Sequence, residues 1–155
     1  MNNVLSYISW GEKDLEADSN YINKIQDDFK STALIRLEYW NWINSLPGHS
    51  SISFWSRSVD HRIICMLAIN SSLRQLPNEF RHDSEINSKV SYENIRRLCR
   101  CTDKTMRSII KEGADRGDII KMKEGRETFI TGTPQLIKVF EEFDKNWIVA
   151  IKNIA

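Results

Sequence analysis

Basic side chains recur between residues 104 and 126 at spacings that could place them on one surface for binding nucleic acid. Residues 91–131 carry 10 Lys or Arg against 7 Asp or Glu, whereas residues 1–90 carry 9 against 11. Cations of this kind neutralise phosphates. A charge difference of this size is also found on an ordinary solvated face. The candidate contacts are Lys104, Thr105, Arg107, Ser108, Lys111, Lys121, Lys123 and Arg126.

Two short amphipathic helices are predicted to carry the first part of this surface. Ser91 and Thr102 can each cap a helix, because their hydroxyls can accept a free backbone N–H of the first turn. Apolar residues follow each cap at three- and four-residue steps: Ile95, Leu98 and Cys99 after the first, Met106, Ile109 and Ile110 after the second. Two capped helices joined by about three residues predict a helix-turn-helix.

A hairpin is predicted to follow the second helix. Gly117 is a natural helix stop. Residues 119–123 and 127–131 are rich in branched side chains and flank a turn signal at Glu124-Gly125. The sequence therefore predicts a mainly α fold with a small β-wing, a winged helix-turn-helix over residues 56–131.

This region resembles the multiple-antibiotic-resistance-regulator (MarR) family. The resemblance lies in Thr102-x-x-Thr105-Met-Arg-Ser-Ile-Ile-Lys-Glu, in the Arg-Gly117-x-Ile119 that follows, and in the pair Ile130-Thr131. The family usually carries Arg at the position of Ser108 and a large apolar residue at that of Gly113. The resemblance implies a dimeric transcription regulator of double-stranded DNA. Such regulators often bind small aromatic effectors between the dimerisation helices and the DNA-binding lobe.

Long helices at the two ends of the chain are predicted to form a dimerisation region, residues 1–46 and 133–155, of a single domain. Apolar residues recur along residues 18–44, and Thr133 and Pro134 favour the start of the last helix. The expected interface residues are Ile22, Ile25, Phe29, Leu136, Phe140, Phe143, Trp147 and Ile151. The alternative is a monomer whose two terminal helices fold onto its own second helix.

The segments between these parts are predicted with less detail. Residues 49–53 are expected to be a loop, and a core helix is expected from residue 56 or 58 to Gln75. Pro77 ends that helix, and the polar residues 77–90 form a linker that could hold a short strand near Val90 or could be mobile.

The remaining reactive side chains give little sign of catalysis. Cys65, Cys99 and Cys101 are an odd number without a second Cys pair, so neither a disulfide framework nor a zinc spacing is complete. Cys99 and Cys101 are interpreted as small buried hydrophobes, with redox sensing as the alternative. The sequence holds no Gly-rich phosphate loop and no nucleophile motif, so we expect no enzyme, no cofactor and no metal.

Two function classes remain open. The first is a sequence-specific DNA-binding regulator acting as a homodimer on a near-palindromic site. The second is a winged-helix module that binds protein, which the near-neutral net charge favours. An effector pocket at Tyr39, Trp40, Trp42 and Trp55 is an open hypothesis against plain core packing. The longest apolar run, residues 63–69, is far too short for a membrane span, so a cytoplasmic protein without membrane partners is expected.

Overall fold

The structure is a computed structural model that describes residues 19–81 and 86–154, with side chains at 28–81 and 86–147. It is mainly helical with one small antiparallel sheet. The elements are α1 (Ser19–Ser45), α2 (Ser51–Trp55), α3 (Val59–Ser72), a 3-10 turn (Asn78–Phe80), β1 (Val90–Ser91), α4 (Tyr92–Leu98), α5 (Asp103–Asp115), β2 (Ile119–Glu124), β3 (Glu127–Gly132) and α6 (Pro134–Ile154). The part of α1 up to residue 42 belongs to one compact unit, and residues 43–153 form the second.

The sheet has the strand order β1-β3-β2, and both pairings are antiparallel. Ile130 of β3 lies opposite Val90 on one side and Lys121 on the other. The predicted strands and the short strand near Val90 are confirmed. The hairpin turn lies one residue later than predicted, because Glu124 still pairs with Glu127 and Gly125 takes the positive φ of 61°.

The prediction for residues 49–58 is wrong in one respect: a five-residue helix, α2, replaces the second half of the expected loop. The Ser50 hydroxyl caps α2 by accepting the Ser53 N–H, and Ser58 caps α3 in the same way through the His61 N–H. Ile52 and Trp55 are buried. Burial of apolar side chains against distant elements therefore stabilises a helix that is too short to form by propensity alone.

The predicted caps of the later helices are confirmed. Ser91 accepts the Asn94 N–H at the start of α4, and Thr102 accepts the Thr105 N–H at the start of α5. Thr133 accepts the Leu136 N–H at the start of α6. Since each cap satisfies a donor that would otherwise lack a partner, three local signals determine where three helices begin.

Helices α2 through α6 and the sheet share one hydrophobic core within the second unit. It contains Phe54, Trp55, Ile64, Cys65, Leu67, Ala68, Leu76, Val90, Tyr92, Ile95, Met106, Ile109, Ile110, Ile119, Ile130 and Leu136. The Trp55 ring covers Gly113 of α5 so closely that a Cβ there would lie 2.7 Å from ring carbons Cζ2 and Cη2. Gly113 is thus the residue that lets α5 approach this ring.

A buried carboxylate connects three parts of this core. Asp118 is 0% exposed, and its Oδ2 accepts the indole N–H of Trp55 at 2.9 Å. Its Oδ1 accepts Gln135 Nε2 at 3.0 Å, and its backbone carbonyl accepts the Thr133 N–H at 3.0 Å. The Arg116 guanidinium lies 3.6 Å away and supplies the opposite charge. Burial of this acid is tolerated because both oxygens have partners.

The residues expected at a dimer interface have different surroundings. Phe29 on α1 is 63% exposed, whereas Leu136 is fully buried in the core and Phe140 packs against it. Phe143 is buried and Trp147 is half-buried. Leu136 lies in the first turn of α6 and is part of the core of its own chain rather than of an interface. The side chains of Ile22, Ile25 and Ile151 lie outside the described residues.

Candidate nucleic-acid interface

The eight side chains predicted to contact DNA are all exposed in the structure, on α5 and on the β2–β3 hairpin. Those on α5 follow from its strongly amphipathic sequence, in which Met106, Ile109 and Ile110 are buried and the polar positions between them face solvent. On the hairpin, Lys121 and Lys123 are two residues apart on β2 and so lie on the same face of the strand, and Arg126 lies in the turn. The fold therefore presents the predicted set on solvent-facing positions.

A groove runs where α4, α5 and the hairpin meet, and the predicted cations line it. One part, of about 310 Å³, lies between Arg107 and the strand residues Lys121 and Lys123. A neighbouring part, of about 270 Å³, is bordered by Arg107 and Arg126. Tyr92, Arg107 and Thr128 line both parts. The structure thus brings Arg107 of α5 together with three cations of the hairpin. Each of the three lies at least 14 positions after Arg107 in the sequence.

Arg107 is held at the centre of this groove. Its guanidinium lies 5.1 Å from the centre of the Tyr92 ring, a cation–π contact, and its Nε donates to Asp103 Oδ2 at 2.8 Å. Asp103 also accepts Arg96 Nε through Oδ1 at 2.8 Å. One carboxylate therefore orients two guanidinium groups, and the bonds from Arg107 and then Arg96 lower the pKa of Asp103 below its usual value.

Other cations of the site differ in their ion pairing. Lys111 pairs with Asp115 one turn later at 2.9 Å, with both side chains well exposed, so the pair contributes little to stability. Among the described residues, Lys104, Lys121, Lys123 and Arg126 make no ion pair. These four side chains are available to a polyanion without first breaking an internal contact.

Two side chains that contact Arg107 were not in the predicted set: Tyr92, which lines both parts of the groove, and Asp103, which accepts the Arg107 Nε–H. Asp103 could have been found from its four-residue spacing to Arg107, whereas the contact of Tyr92 with Arg107 depends on the packing of α4 against α5. Arg96 also lines the groove, and its guanidinium lies 2.7 Å from Asp103 Oδ1.

The aromatic residues of the hypothetical effector pocket divide between the two compact units. Trp55 is 1% exposed and belongs to the core of the second unit, bonded to Asp118, so core packing is its role. Tyr39, Trp40 and Trp42 lie on α1 in the first unit. Tyr39 and Trp40 contact each other edge to face, with ring centres 5.1 Å apart.

Comparisons of the chain with protein-family models, with curated proteins and with solved structures find no match. Among the described residues, no helix combines the length and the apolar character needed to cross a membrane.

Proposed function

We propose that this chain is a winged helix-turn-helix transcription regulator, similar to the MarR family, which binds double-stranded DNA as a cytoplasmic homodimer. In this proposal α5 enters the major groove of the DNA, and the β2–β3 hairpin is the wing that follows the backbone toward the minor groove. The observation that carries the proposal is the groove in which Arg107, Lys121, Lys123 and Arg126 converge.

The chemistry of this groove suits a phosphate backbone better than a single small anion. Its cations lie along two walls, one helical and one formed by the hairpin, rather than around one enclosed point. Each cation that neutralises a phosphate releases a counterion, so binding should weaken steeply with added salt. Thr105 and Ser108 on the same exposed face of α5 can add hydrogen bonds to bases or phosphates.

Arg107 and Arg126 have separate tasks in this proposal. Asp103 occupies Nε of Arg107, which leaves the terminal nitrogens of the guanidinium to donate two bonds to a guanine. Arg126 lies at the hairpin turn beside the groove, where it would meet the backbone and the minor groove, whose negative potential attracts arginine. Loss of the first should reduce sequence preference, and loss of the second should reduce general affinity.

The test is a titration of each variant against a selected site and a scrambled site at several salt concentrations. Arg107→Ala should cost about 1–3 kcal/mol on the preferred site and relax preference at one position per half-site. Arg126→Ala should weaken binding to both DNAs and lower the salt slope by about one charge equivalent per wing. Lys138→Ala, an exposed cation on α6 outside the groove, is the matched control. Unchanged affinity and slope in both groove variants would remove DNA from this surface.

The homodimer part of the proposal is supported by α1. Phe29, Leu37 and Trp40 follow the helical repeat and are 63%, 66% and 44% exposed. Large apolar side chains grouped on one helix are a common mark of a protein–protein contact. Two-fold symmetry would present two recognition helices about one turn of DNA apart and select a near-palindromic site.

A second candidate function, binding of protein rather than DNA, is favoured by the acidic residues at the same surface. Asp103 pairs with two of the basic residues, Asp115 pairs with Lys111, and Glu112 pairs with Arg57. Internal neutralisation of this kind lowers the charge offered to a polyanion. Measured affinity for random-sequence DNA at low salt separates the two functions, since only the DNA-binding protein should show salt-sensitive binding.

A further inference from the structure

A mixed cluster of metal-ligand side chains lies at the connection between α4 and α5, away from the groove. Asp60, from the first turn of α3, accepts the Arg100 N–H through Oδ1 and the Cys101 N–H through Oδ2, both at 3.0 Å. The cluster also contains Cys99, and all three side chains are half-buried. One carboxylate oxygen and the two Sγ atoms all lie within 4.8 Å of one another.

This arrangement is close to what a tetrahedral thiolate site requires. Zn–S bonds of about 2.3 Å and Zn–O bonds of about 2.0–2.2 Å place neighbouring ligand atoms about 3.6–3.8 Å apart. Closing the cluster around such an ion needs movements of about 1 Å, within reach of side-chain rotation. Two sulfur donors select a thiophilic ion, whereas Ca²⁺ and Mg²⁺ take oxygen ligands.

We propose that Asp60, Cys99 and Cys101 form a binding site for a thiophilic divalent cation, Zn²⁺ in the first place, with a fourth position left for water. The site is independent of the DNA-binding proposal and stands whether or not the chain binds DNA. Spacing along the sequence could not show it, because Asp60 is 39 residues before Cys99 and reaches it only through the packing of α3.

Binding of a divalent ion would replace the two thiol protons without changing the net charge of the site. Burial and then the Asp60 charge raise the pKa of Cys99 to about 12, and burial together with Asp60 raises the pKa of Cys101. Both thiols are therefore protonated at neutral pH in the metal-free chain. On binding, each thiol releases its proton to solvent and each sulfur donates an electron pair to the ion. The site has a net charge of −1 before binding, from the Asp60 carboxylate. Zn²⁺ bound to two thiolates and this carboxylate also has a net charge of −1.

Metal binding would fasten three segments together. Asp60 belongs to α3, Cys99 ends α4 and Cys101 stands just before the cap of α5, so the ion would add a bonded link where two backbone hydrogen bonds now act. Because the unfolded chain lacks this arrangement, binding should stabilise the folded state. Cys65 is not part of the site, since it is fully buried in the core.

The test is titration of the fully reduced full-length chain with Zn²⁺, and with Co²⁺ as a spectroscopic probe. The unmodified protein should bind one ion per chain, show the near-ultraviolet charge-transfer absorption of Co²⁺–thiolate bonds, and melt at a higher temperature with Zn²⁺. Cys99→Ser and Cys101→Ser should each weaken binding more than about tenfold, because loss of even an outer-shell partner has that effect. His49→Ala removes an exposed histidine outside the cluster and should bind as the unmodified protein does.

Melting of each variant without metal shows that it is folded, and Cys101→Ala replaces any serine variant that is not. Absence of thiolate absorption with Co²⁺ in the unmodified protein would overturn the proposal. Unmodified affinity in both folded cysteine variants would overturn it equally, because the ion would then be bound elsewhere. Loss of DNA binding in the groove variants leaves this result unaffected, so the two proposals fail separately.

Discussion

The close contact between Gly113 and the Trp55 ring can be used to test how α5 packs against the core. An alanine Cβ at position 113 would lie 2.7 Å from two carbons of the Trp55 ring and 3.2 Å from Cδ1 of Ile119. The ring cannot move away easily, because it is 1% exposed and its N–H is bonded to Asp118. Gly113→Ala should therefore overpack the core, at a cost of about 1–3 kcal/mol, against a gain in helix propensity of about 1 kcal/mol.

The same substitution should have the opposite effect when Trp55 is Phe. A phenyl ring lacks Cζ2 and Cη2, the two closest atoms that a Cβ at position 113 would meet. The remaining close contact, 3.2 Å from Ile119 Cδ1, is with the end of a flexible side chain that can shift, so the gain in helix propensity should dominate. Trp55→Phe itself should cost at least about 1.5–3 kcal/mol, since it removes a hydrogen bond to a buried carboxylate. Gly113→Ala should then stabilise this background by about 0.5–1 kcal/mol.

The assay is a double-mutant cycle measured by urea unfolding of the four proteins, followed by circular dichroism. The free energies of unfolding should show a coupling of about 1–3 kcal/mol between the two positions. A coupling below about 0.5 kcal/mol would be ordinary additivity and would refute the close contact. An alanine that stabilises both backgrounds equally would refute it as well.

Three further predictions concern assembly, the thiols and pH. Phe29→Glu with Leu37→Glu should turn a homodimer into a folded monomer in size measurements, and a monomeric unmodified protein at tens of micromolar would contradict the dimer. In the metal-free chain Cys99→Ala should lower stability only modestly, and DNA binding should not respond to mild peroxide, because a thiol with a pKa of about 12 holds little thiolate. Burial and then Arg57 lower the pKa of His61 below 6.5. The unfolded chain therefore binds this proton first, and stability should fall as the pH drops below 6.5 toward the folded pKa, a fall that His61→Gln should reduce.

Local signals explain the parts of the fold that the sequence predicts well. Ser91, Thr102 and Thr133 act within three residues of themselves, so their caps can be read directly from the chain. The hairpin is similarly local, although its turn lies at Gly125-Arg126 rather than at 124–125. Helix α2 was missed because its stability comes from burial of Phe54 and Trp55 against residues far away in sequence.

The same distinction divides the candidate sites. The exposed face of α5 follows from its helical repeat, so Lys104 and Arg107 could be placed on it without a structure. The contact between Arg107 and Tyr92 and the meeting of Asp60 with the two cysteines depend on how elements pack, and no spacing in the chain encodes them. The resemblance that led to the DNA-binding proposal says nothing about either contact.

Asp118 has a consequence for how motion can spread through the second unit. It stands at the entry to β2, and its bonds reach α2 through Trp55 and the first turn of α6 through Gln135 and Thr133. The base of the hairpin is therefore held by the hydrogen bonds and the ion pair of a buried carboxylate rather than by a flexible loop. A force applied at the hairpin tip by a bound partner would be carried to the base of α6, so the two ends of this unit should open and close as one cooperative body in hydrogen exchange.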